Sequence, residues 1–151
     1  MERIIKVQMD ADIKNQGLAR AIAAAYAAEF DPTVDELTEI KTAVSEAFSN
    51  AVIHGYPKKD EEDFQIKGKV DMELATVSRD TLMIKVKDKG VGIEDIARAM
   101  EPLFTTDTCD ERSGMGFTVM ESFMDKIKVD SKVNEGTTVT MIKKLDTYYE
   151  L

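Results

Sequence analysis

Three polar residues, Glu46, Asn50 and His54, follow one another at intervals of four. In a helix this spacing places them on one face. The amide oxygen of Asn50 suits Mg²⁺, a hard ion that takes few protein ligands and shares the rest with water and phosphate. A carboxylate one turn away, at Glu46, could accept a proton or orient a nucleophile. Taken alone, these residues fit a solvated helix face better than a reactive site.

A second candidate is the run Asp88-Lys89-Gly90-Val91-Gly92, which directly follows an apolar, strand-like segment. A carboxylate at the end of a strand is a pure acceptor and could take a hydrogen bond from an exocyclic amine such as that of adenine. Gly90 and Gly92 would allow a turn and close approach of a ligand to the backbone. The alternative is an ordinary Asp/Gly turn.

A third candidate is Arg112-Ser113-Gly114-Met115-Gly116-Phe117, which opens a predicted helix. Glycines leave backbone N–H groups free to face an anion, and the helix dipole favours negative charge there. The dipole alone contributes only about 0.3–1 kcal/mol, so phosphate binding would also need a cation such as Arg112. The alternative is a flexible hinge. The chain contains neither a P-loop motif nor the protein-kinase motifs H-R-D and D-F-G.

The elements that would position these residues follow from the apolar periodicity. Four helices are predicted at Asp12–Phe30, about Pro32–His54, Ile93–Met100 and Gly116–Asp125. Five strands are predicted at Ile4–Met9, Ile66–Ala75, Thr81–Lys87, Lys126–Asp130 and Thr137–Lys143. Their irregular alternation predicts an α+β fold, a two-layer α/β sandwich whose mostly antiparallel sheet carries helices on one face. The segment 101–115 has no clear period and is predicted to be a long functional loop.

Composition narrows the class of protein. The chain has 151 residues and is expected to form one domain. Its net charge of −9 argues against direct binding of nucleic acid. One cysteine, Cys109, and one histidine argue against a disulfide and against a zinc site. No apolar run suits a membrane span and no secretory leader is visible, so the expected location is cytoplasmic.

The order of these motifs resembles the four boxes of the GHKL ATPases, which include gyrase, Hsp90, MutL-type proteins and histidine kinases. The boxes match Glu46 with Asn50, Asp88 through Gly92, Gly114 with Gly116, and Gly136-Thr137-Thr138. The resemblance implies the Bergerat-type ATP-binding fold, with the box region at about residues 31–145.

Longer segments narrow the resemblance. Asp31–Tyr56, Pro102–Thr106 and Glu111–Asp125 look like the anti-sigma-F factors of spore-forming bacteria. Members of that family are homodimers that hold a sporulation sigma factor inactive when ATP is bound. They also phosphorylate a serine of a small anti-anti-sigma protein, which makes them ATP-dependent protein serine kinases. The resemblance therefore implies ATP or ADP and Mg²⁺ as ligands, and a role in transcription without direct contact to nucleic acid or membrane.

The resemblance also implies roles for single residues. Glu46 is expected to be the catalytic base, with Arg112 stabilising the transferring phosphoryl group, and Asn50 the Mg²⁺ ligand. Asp88 is expected to read adenine, with Thr137 nearby through water. Nucleotide contacts are expected from Asn50, His54, Asp88, Gly90, Gly92, Thr105, Thr106, Ser113, Gly114, Met115, Gly116, Phe117 and Thr137. The first strand and helix, including Arg20, correspond to the region of dimer and partner contacts.

Two departures from the family pattern are visible, and several alternatives stay open. The loop from Pro57 to about Lys67 is longer and carries an acidic run, and Lys87 and Lys89 flank Asp88. The related anti-sigma kinases of the general stress response share the boxes. A stand-alone catalytic part of a histidine kinase and a non-catalytic, ATP-gated binding module are further alternatives. A DNA-acting ATPase of the gyrase type is not expected, because it would need further transducer domains.

Overall fold

The computed structural model describes residues 2–57, 68–101 and 116–146. Five strands form one antiparallel sheet in the order β1-β2-β3-β5-β4. They are β1 (Glu2–Asp10), β2 (Lys69–Ser78), β3 (Thr81–Asp88), β4 (Lys126–Lys132) and β5 (Gly136–Lys144). The α-helices among the described residues are α1 (Gln16–Ala27), α2 (Val34–Asn50), α3 (Ile96–Ala99) and α4 (Gly116–Phe123). The predicted α+β sandwich is therefore confirmed.

The main differences from the predicted elements lie at element ends, and the strand predicted to end at Ala75 continues to Ser78. The first predicted helix is α1 flanked by two 3₁₀ turns, and Asp31, with φ 52°, ends it in a left-handed conformation. The second predicted helix was expected to run to about His54, but α2 ends at Asn50 and is followed by a π-helical turn, Ala51–Gly55. The helix predicted at Ile93–Met100 was too long, because α3 has only four residues. It begins after Asp95, whose side chain caps it by accepting a hydrogen bond from the backbone N–H of Arg98.

Helix α2 is the central element of the helical layer. Thr33 and Glu36 form a capping box at its start, which satisfies two backbone donors that would otherwise lack partners. An apolar stripe along α2 packs on the sheet, and Ile40, Val44 and Phe48 are fully buried. Burial of one such side chain contributes about 1.5–3 kcal/mol. This packing fixes the opposite, polar stripe of α2 relative to the sheet.

The inner face of the sheet supplies the other half of the core. Alternate residues of β2 and β3, among them Met72, Leu74, Leu82 and Ile84, are almost completely buried. Helices α1 and α4 pack on either side of α2. In the described parts of the chain, no helix is long and apolar enough to cross a membrane.

Candidate functional site

The Asp88 carboxyl group lies buried at the end of β3, with 5% of the residue exposed. Its Oδ1 accepts a hydrogen bond of 2.9 Å from the backbone N–H of Gly90. The backbone N–H of Thr137, its partner on β5, also donates to the carboxyl group. Burial nevertheless raises the pKa of Asp88, because the two N–H donors only partly offset the loss of water around the charge. A buried acceptor of this kind can bind a ligand amine.

Three glycines surround Asp88 at distances that exclude any side chain. A Cβ on Gly55 would lie 2.8 Å from Asp88 Cγ, and one on Gly136 would lie 2.1 Å from the Asp88 carbonyl oxygen. A Cβ on Gly90 would lie only 1.8 Å from the carbonyl oxygen of Gly55. That same oxygen accepts a hydrogen bond of 2.9 Å from the N–H of Val91. The end of the α2 region and the turn after β3 are thus joined backbone to backbone.

The Thr137 hydroxyl takes part in a small polar network beside this carboxyl group. It lies 2.7 Å from the Ser131 hydroxyl, which also donates to the carbonyl oxygen of Gly136. The Ser131 hydroxyl in turn accepts a hydrogen bond of 2.7 Å from the backbone N–H of Ile93. Gly92, just before Ile93, has φ 77°, a left-handed conformation that favours glycine. We call Asp88, Gly55, Gly90, Gly136 and Thr137 the Asp88 pocket.

The second cluster lies where the polar stripe of α2 meets the first residue of α4. Glu46 and Asn50 are half-buried on α2. A methyl group on Gly116 would lie 2.8 Å from Asn50 Nδ2, 3.2 Å from Asn50 Oδ1 and 3.3 Å from Glu46 Oε2. A carboxylate and an amide oxygen therefore converge beside a helix N-terminus. We call Glu46, Asn50 and Gly116 the Glu46 end.

The donor set at the Glu46 end suits a small hard cation. Carboxylate and amide oxygens are ligands that Mg²⁺ accepts, and the ion usually completes its shell with water and phosphate oxygens. The N-terminus of α4 adds a partial positive charge that favours an anion. Among the described residues, no group of three or more His, Cys, Asp and Glu side chains forms a cation cage. An ion shared between Asn50 and a phosphate fits this arrangement better than one enclosed by protein.

The other predicted site residues fall into two groups. His54 is half-buried in the π-helical turn next to Gly55, and Phe117 is half-buried in the first turn of α4. Arg20 lies on α1, where its Nη1 is 3.4 Å from Ser45 Oγ. The remaining predicted residues lie outside the described parts of the chain: Thr105, Thr106, Arg112, Ser113, Gly114 and Met115.

Three residues around the Asp88 pocket were missed by sequence reasoning. Gly55 and Tyr56 follow the end of the second predicted helix, Ser131 follows the strand predicted at Lys126–Asp130, and none of them was predicted to belong to the site. Tyr56 accepts a hydrogen bond of 2.7 Å from the N–H of Lys89 and donates one of 2.8 Å to the Lys69 carbonyl oxygen. It thereby holds the turn that follows Asp88. The position of Gly55, at the end of the helix that carries Asn50, was the available signal.

Comparison with known proteins places the chain in a family. The model of the histidine kinase-like ATPase domain matches residues 9–143. An anti-sigma F factor of Lysinibacillus sphaericus is 51% identical over 89% of this chain and 87% of its own length. An anti-sigma F factor of Clostridium perfringens strain SM101 is 47% identical over 97% of this chain and 100% of its own length.

Solved structures agree with this fold. The structure of the RsbU and RsbW domains of Rv1364c from Mycobacterium tuberculosis aligns with a TM-score of 0.66 at 20% identity, covering 95% of this chain and 32% of that chain. The mycobacterial sensor histidine kinase MprB aligns with a TM-score of 0.57 at 14% identity, covering 95% of this chain and all of that chain. At these identities the likeness shows the fold alone.

Proposed function

The chain belongs to the anti-sigma F factors within the histidine kinase-like ATPase domains, and on that premise we propose a two-part function. In its ATP-bound form it holds a sporulation sigma factor of the sigma-F type inactive. It also transfers phosphate from ATP to a serine of a small anti-anti-sigma protein. The observation that carries the kinase part is the convergence of Glu46 Oε2 and Asn50 Oδ1 at the N-terminus of α4.

An ATPase-domain family binds ATP, and the two clusters divide the nucleotide between them. The Asp88 carboxyl group accepts a hydrogen bond from the exocyclic amine of adenine, in a pocket formed largely by backbone. Asn50 provides an amide oxygen for Mg²⁺ near the phosphates, with the N-terminus of α4 beside it. When bound, Mg²⁺ would neutralise phosphate charge and orient the γ-phosphate. His54, Gly92 and Phe117 are further predicted nucleotide contacts among the described residues.

Glu46 is proposed to act as the general base. Its carboxylate accepts the proton of the partner's serine hydroxyl while that oxygen forms a bond to the γ-phosphorus. The bond from the γ-phosphorus to the bridging oxygen breaks, and ADP leaves with the electron pair. Such transfer depends on positioning and on charge stabilisation more than on covalent chemistry by the protein. The predicted charge-stabilising cation is Arg112.

The switch between partners is proposed to depend on the γ-phosphate. The segment 102–115, outside the described residues, contains most of the predicted phosphate contacts. A nucleotide that changes how this segment is held would change the surface offered to each partner. A coupling of about 1–3 kcal/mol would shift partner affinity roughly 5- to 150-fold.

A homodimer is also proposed, built on β1 and α1. Strand β1 is at the edge of the sheet, and such edges readily pair with another chain. Apolar side chains on these elements are exposed, Ile4 by 50%, Ile5 by 41% and Leu18 by 52%, and so is Ile13, by 46%, in the 3₁₀ turn that precedes α1. Apolar surface of this kind is typical of an interface. Arg20 lies on the same helix, α1, which is consistent with its predicted partner contact.

The test mixes the purified full chain with labelled Mg²⁺-ATP and a candidate anti-anti-sigma protein, and then identifies the residue that gains phosphate. We expect label on one serine of the partner and none on this chain. Sigma-factor capture is measured in parallel with ATP and with ADP, and we expect tighter capture with ATP.

Other outcomes would revise the proposal in distinct ways. Tight ATP binding without transfer would leave a nucleotide-gated binding module. Label on His54 of this chain would indicate histidine-kinase chemistry. Equal capture of the sigma factor with both nucleotides would remove the switch.

A further inference from the structure

Lys143 is a buried cation outside the nucleotide site. Its side chain is 10% exposed, and it lies on the face of β5 that packs against the helices. Its Nζ lies 2.6 Å from Glu39 Oε2 on α2 and 2.6 Å from the carbonyl oxygen of Phe123. A buried ammonium group is costly unless it is paired and hydrogen-bonded. These two contacts meet that requirement.

Phe123 is the last residue of α4, so Lys143 bonds one of the carbonyl groups that the end of a helix leaves without an intrahelical donor. The negative end of the helix dipole adds to this attraction. The residues that follow α4 are also hydrogen-bonded to β5. The N–H of Asp125 donates to the Ile142 carbonyl oxygen, and the Asp125 carboxylate accepts a hydrogen bond from the N–H of Lys144. The C-terminal end of α4 is thus fixed to β5 and, through Lys143, to α2.

The other end of α4 is the Glu46 end of the nucleotide site. Glu39 and Glu46 are seven residues apart on α2, and Gly116 and Phe123 are seven residues apart on α4. Seven residues of α-helix span about 10 Å, close to two turns. Gly116 lies against Glu46, whereas Phe123 is joined to Glu39. The two helices are therefore antiparallel and held together at two levels, one in the reactive site and one at Lys143.

We propose that Lys143 is a positioning residue for phosphoryl transfer. It sets the spacing of α4 from α2, and through α4 it sets how closely Gly116 approaches Glu46 and Asn50. The inference rests on the proposed kinase function. The Asp88 pocket contains no residue of α4, so adenine binding does not depend on this contact. Loss of Lys143 therefore acts on the phosphate end and spares the adenine end.

The test compares Lys143→Met with Lys143→Arg and with the matched control Lys144→Met. Lys144 is the exposed neighbour on β5, and its Nζ lies 3.9 Å from Asp80 Oδ2. ADP and ATP affinities are measured by calorimetry, and transfer to the partner serine is measured with saturating ATP. Thermal unfolding sets a temperature at which every variant is folded.

For Lys143→Met we expect ADP affinity within about threefold of the parent, and transfer at saturating ATP reduced roughly 10- to 100-fold, as for a mispositioned reacting group. The preference for ATP over ADP should shrink in the same variant. Lys143→Arg should restore much of the transfer because it can still reach both acceptors. Lys144→Met should match the parent. If Lys143→Met does not fold, Glu39→Gln removes the ion pair alone and should show a smaller loss of the same kind.

Equal losses of ADP and ATP affinity would overturn the inference, because they would show a general effect on the fold. Unchanged transfer and unchanged ATP preference in the folded variant would overturn it as well. If the parent protein transfers no phosphate, the proposed kinase function fails, and the ATP-to-ADP preference of the variants then decides the positioning role by itself.

Discussion

The Asp88 pocket is built from backbone lying against backbone, whereas the Glu46 end is built from side chains facing the first residue of α4. In the pocket, a methyl group on Gly90 would collide with the Gly55 carbonyl oxygen, and one on Gly136 would collide with the Asp88 carbonyl oxygen. At the Glu46 end, the groups nearest to Gly116 are tips of side chains on α2, which can rotate. A rigid end suits recognition of a flat base, and an adjustable end suits a phosphate that is transferred.

The first prediction tests the rigidity of the pocket with Gly90→Ala. The added Cβ would lie 1.8 Å from the Gly55 carbonyl oxygen, so one of the two backbone segments must move. We expect a loss of about 3 kcal/mol or more in the free energy of unfolding, and no measurable ADP or ATP binding. Chemical denaturation and calorimetry measure these quantities.

Gly17→Ala is the matched control. Its Cβ would meet only the Arg20 guanidinium at 3.6 Å, an ordinary contact, and Gly17 lies in α1. We expect this variant to gain about 0.5–1 kcal/mol of stability, because alanine is the better helix former. A Gly90→Ala variant as stable as the parent would show that the pocket is not rigid.

The second prediction concerns the Asp88 carboxylate itself. Asp88→Asn presents an amide where adenine is proposed to donate, and a hydrogen bond to a charged group contributes about 1.5–3 kcal/mol. Affinity for ADP and ATP should therefore fall by the same factor, roughly 10- to 150-fold. An unequal loss, larger for ATP, would place Asp88 near the phosphates and invert the assignment of the two ends.

The third prediction concerns Gly116→Ala at the Glu46 end. The new methyl group would press on Asn50 and Glu46 side chains rather than on backbone, so the protein should fold with stability within about 1 kcal/mol of the parent. Transfer should fall by about tenfold or more, since the reacting groups are displaced. ADP affinity should stay unchanged, and a Gly116→Ala variant that loses ADP binding would contradict the separation of the ends.

The fourth and smallest effect is a dependence of stability on pH. Burial raises the folded-state pKa of Asp88 above its unfolded value. The stability that its protonated form contributes is fully present below the unfolded pKa of about 3.9 and is lost as pH rises through the folded pKa. The stability of the parent relative to Asp88→Asn should therefore fall with rising pH, by at most about 1.4 kcal/mol per pH unit. Denaturation curves between pH 4 and 7 measure this difference, and a difference that rises with pH would contradict it.

Sequence patterns predicted the parts of this site that depend on the spacing of residues close together in the chain. The stripe of Glu46 and Asn50 follows from helical spacing, and Asp88 follows from its place at the end of an apolar strand. The helix at 93–100 was predicted too long because two hydrogen bonds place its start later in the chain. The N–H of Ile93 donates to the Ser131 hydroxyl, and the Asp95 side chain, two residues further on, caps the helix. Neither bond is visible in the apolar periodicity.

Contacts between distant segments could not be predicted in this way. Gly55 and Gly90 are separated by 34 intervening residues, and their backbone contact appears only once α2 is packed on the sheet. Lys143 and Glu39 are 104 residues apart. A lysine in an alternating strand predicts an exposed position, but the register of β5 turns Lys143 toward the helices, where Glu39 and the end of α4 compensate its burial.

The most direct measurement compares Glu46→Gln with the parent protein for two properties, ADP affinity and transfer of phosphate to the partner serine. The substitution keeps the shape of the side chain and removes its ability to accept a proton. We expect ADP affinity within about threefold of the parent, and transfer reduced roughly 10²- to 10⁴-fold, the range for loss of a general base. Transfer at the rate of the parent would contradict the role of Glu46, and loss of ADP binding together with transfer would contradict the division of the site into two ends.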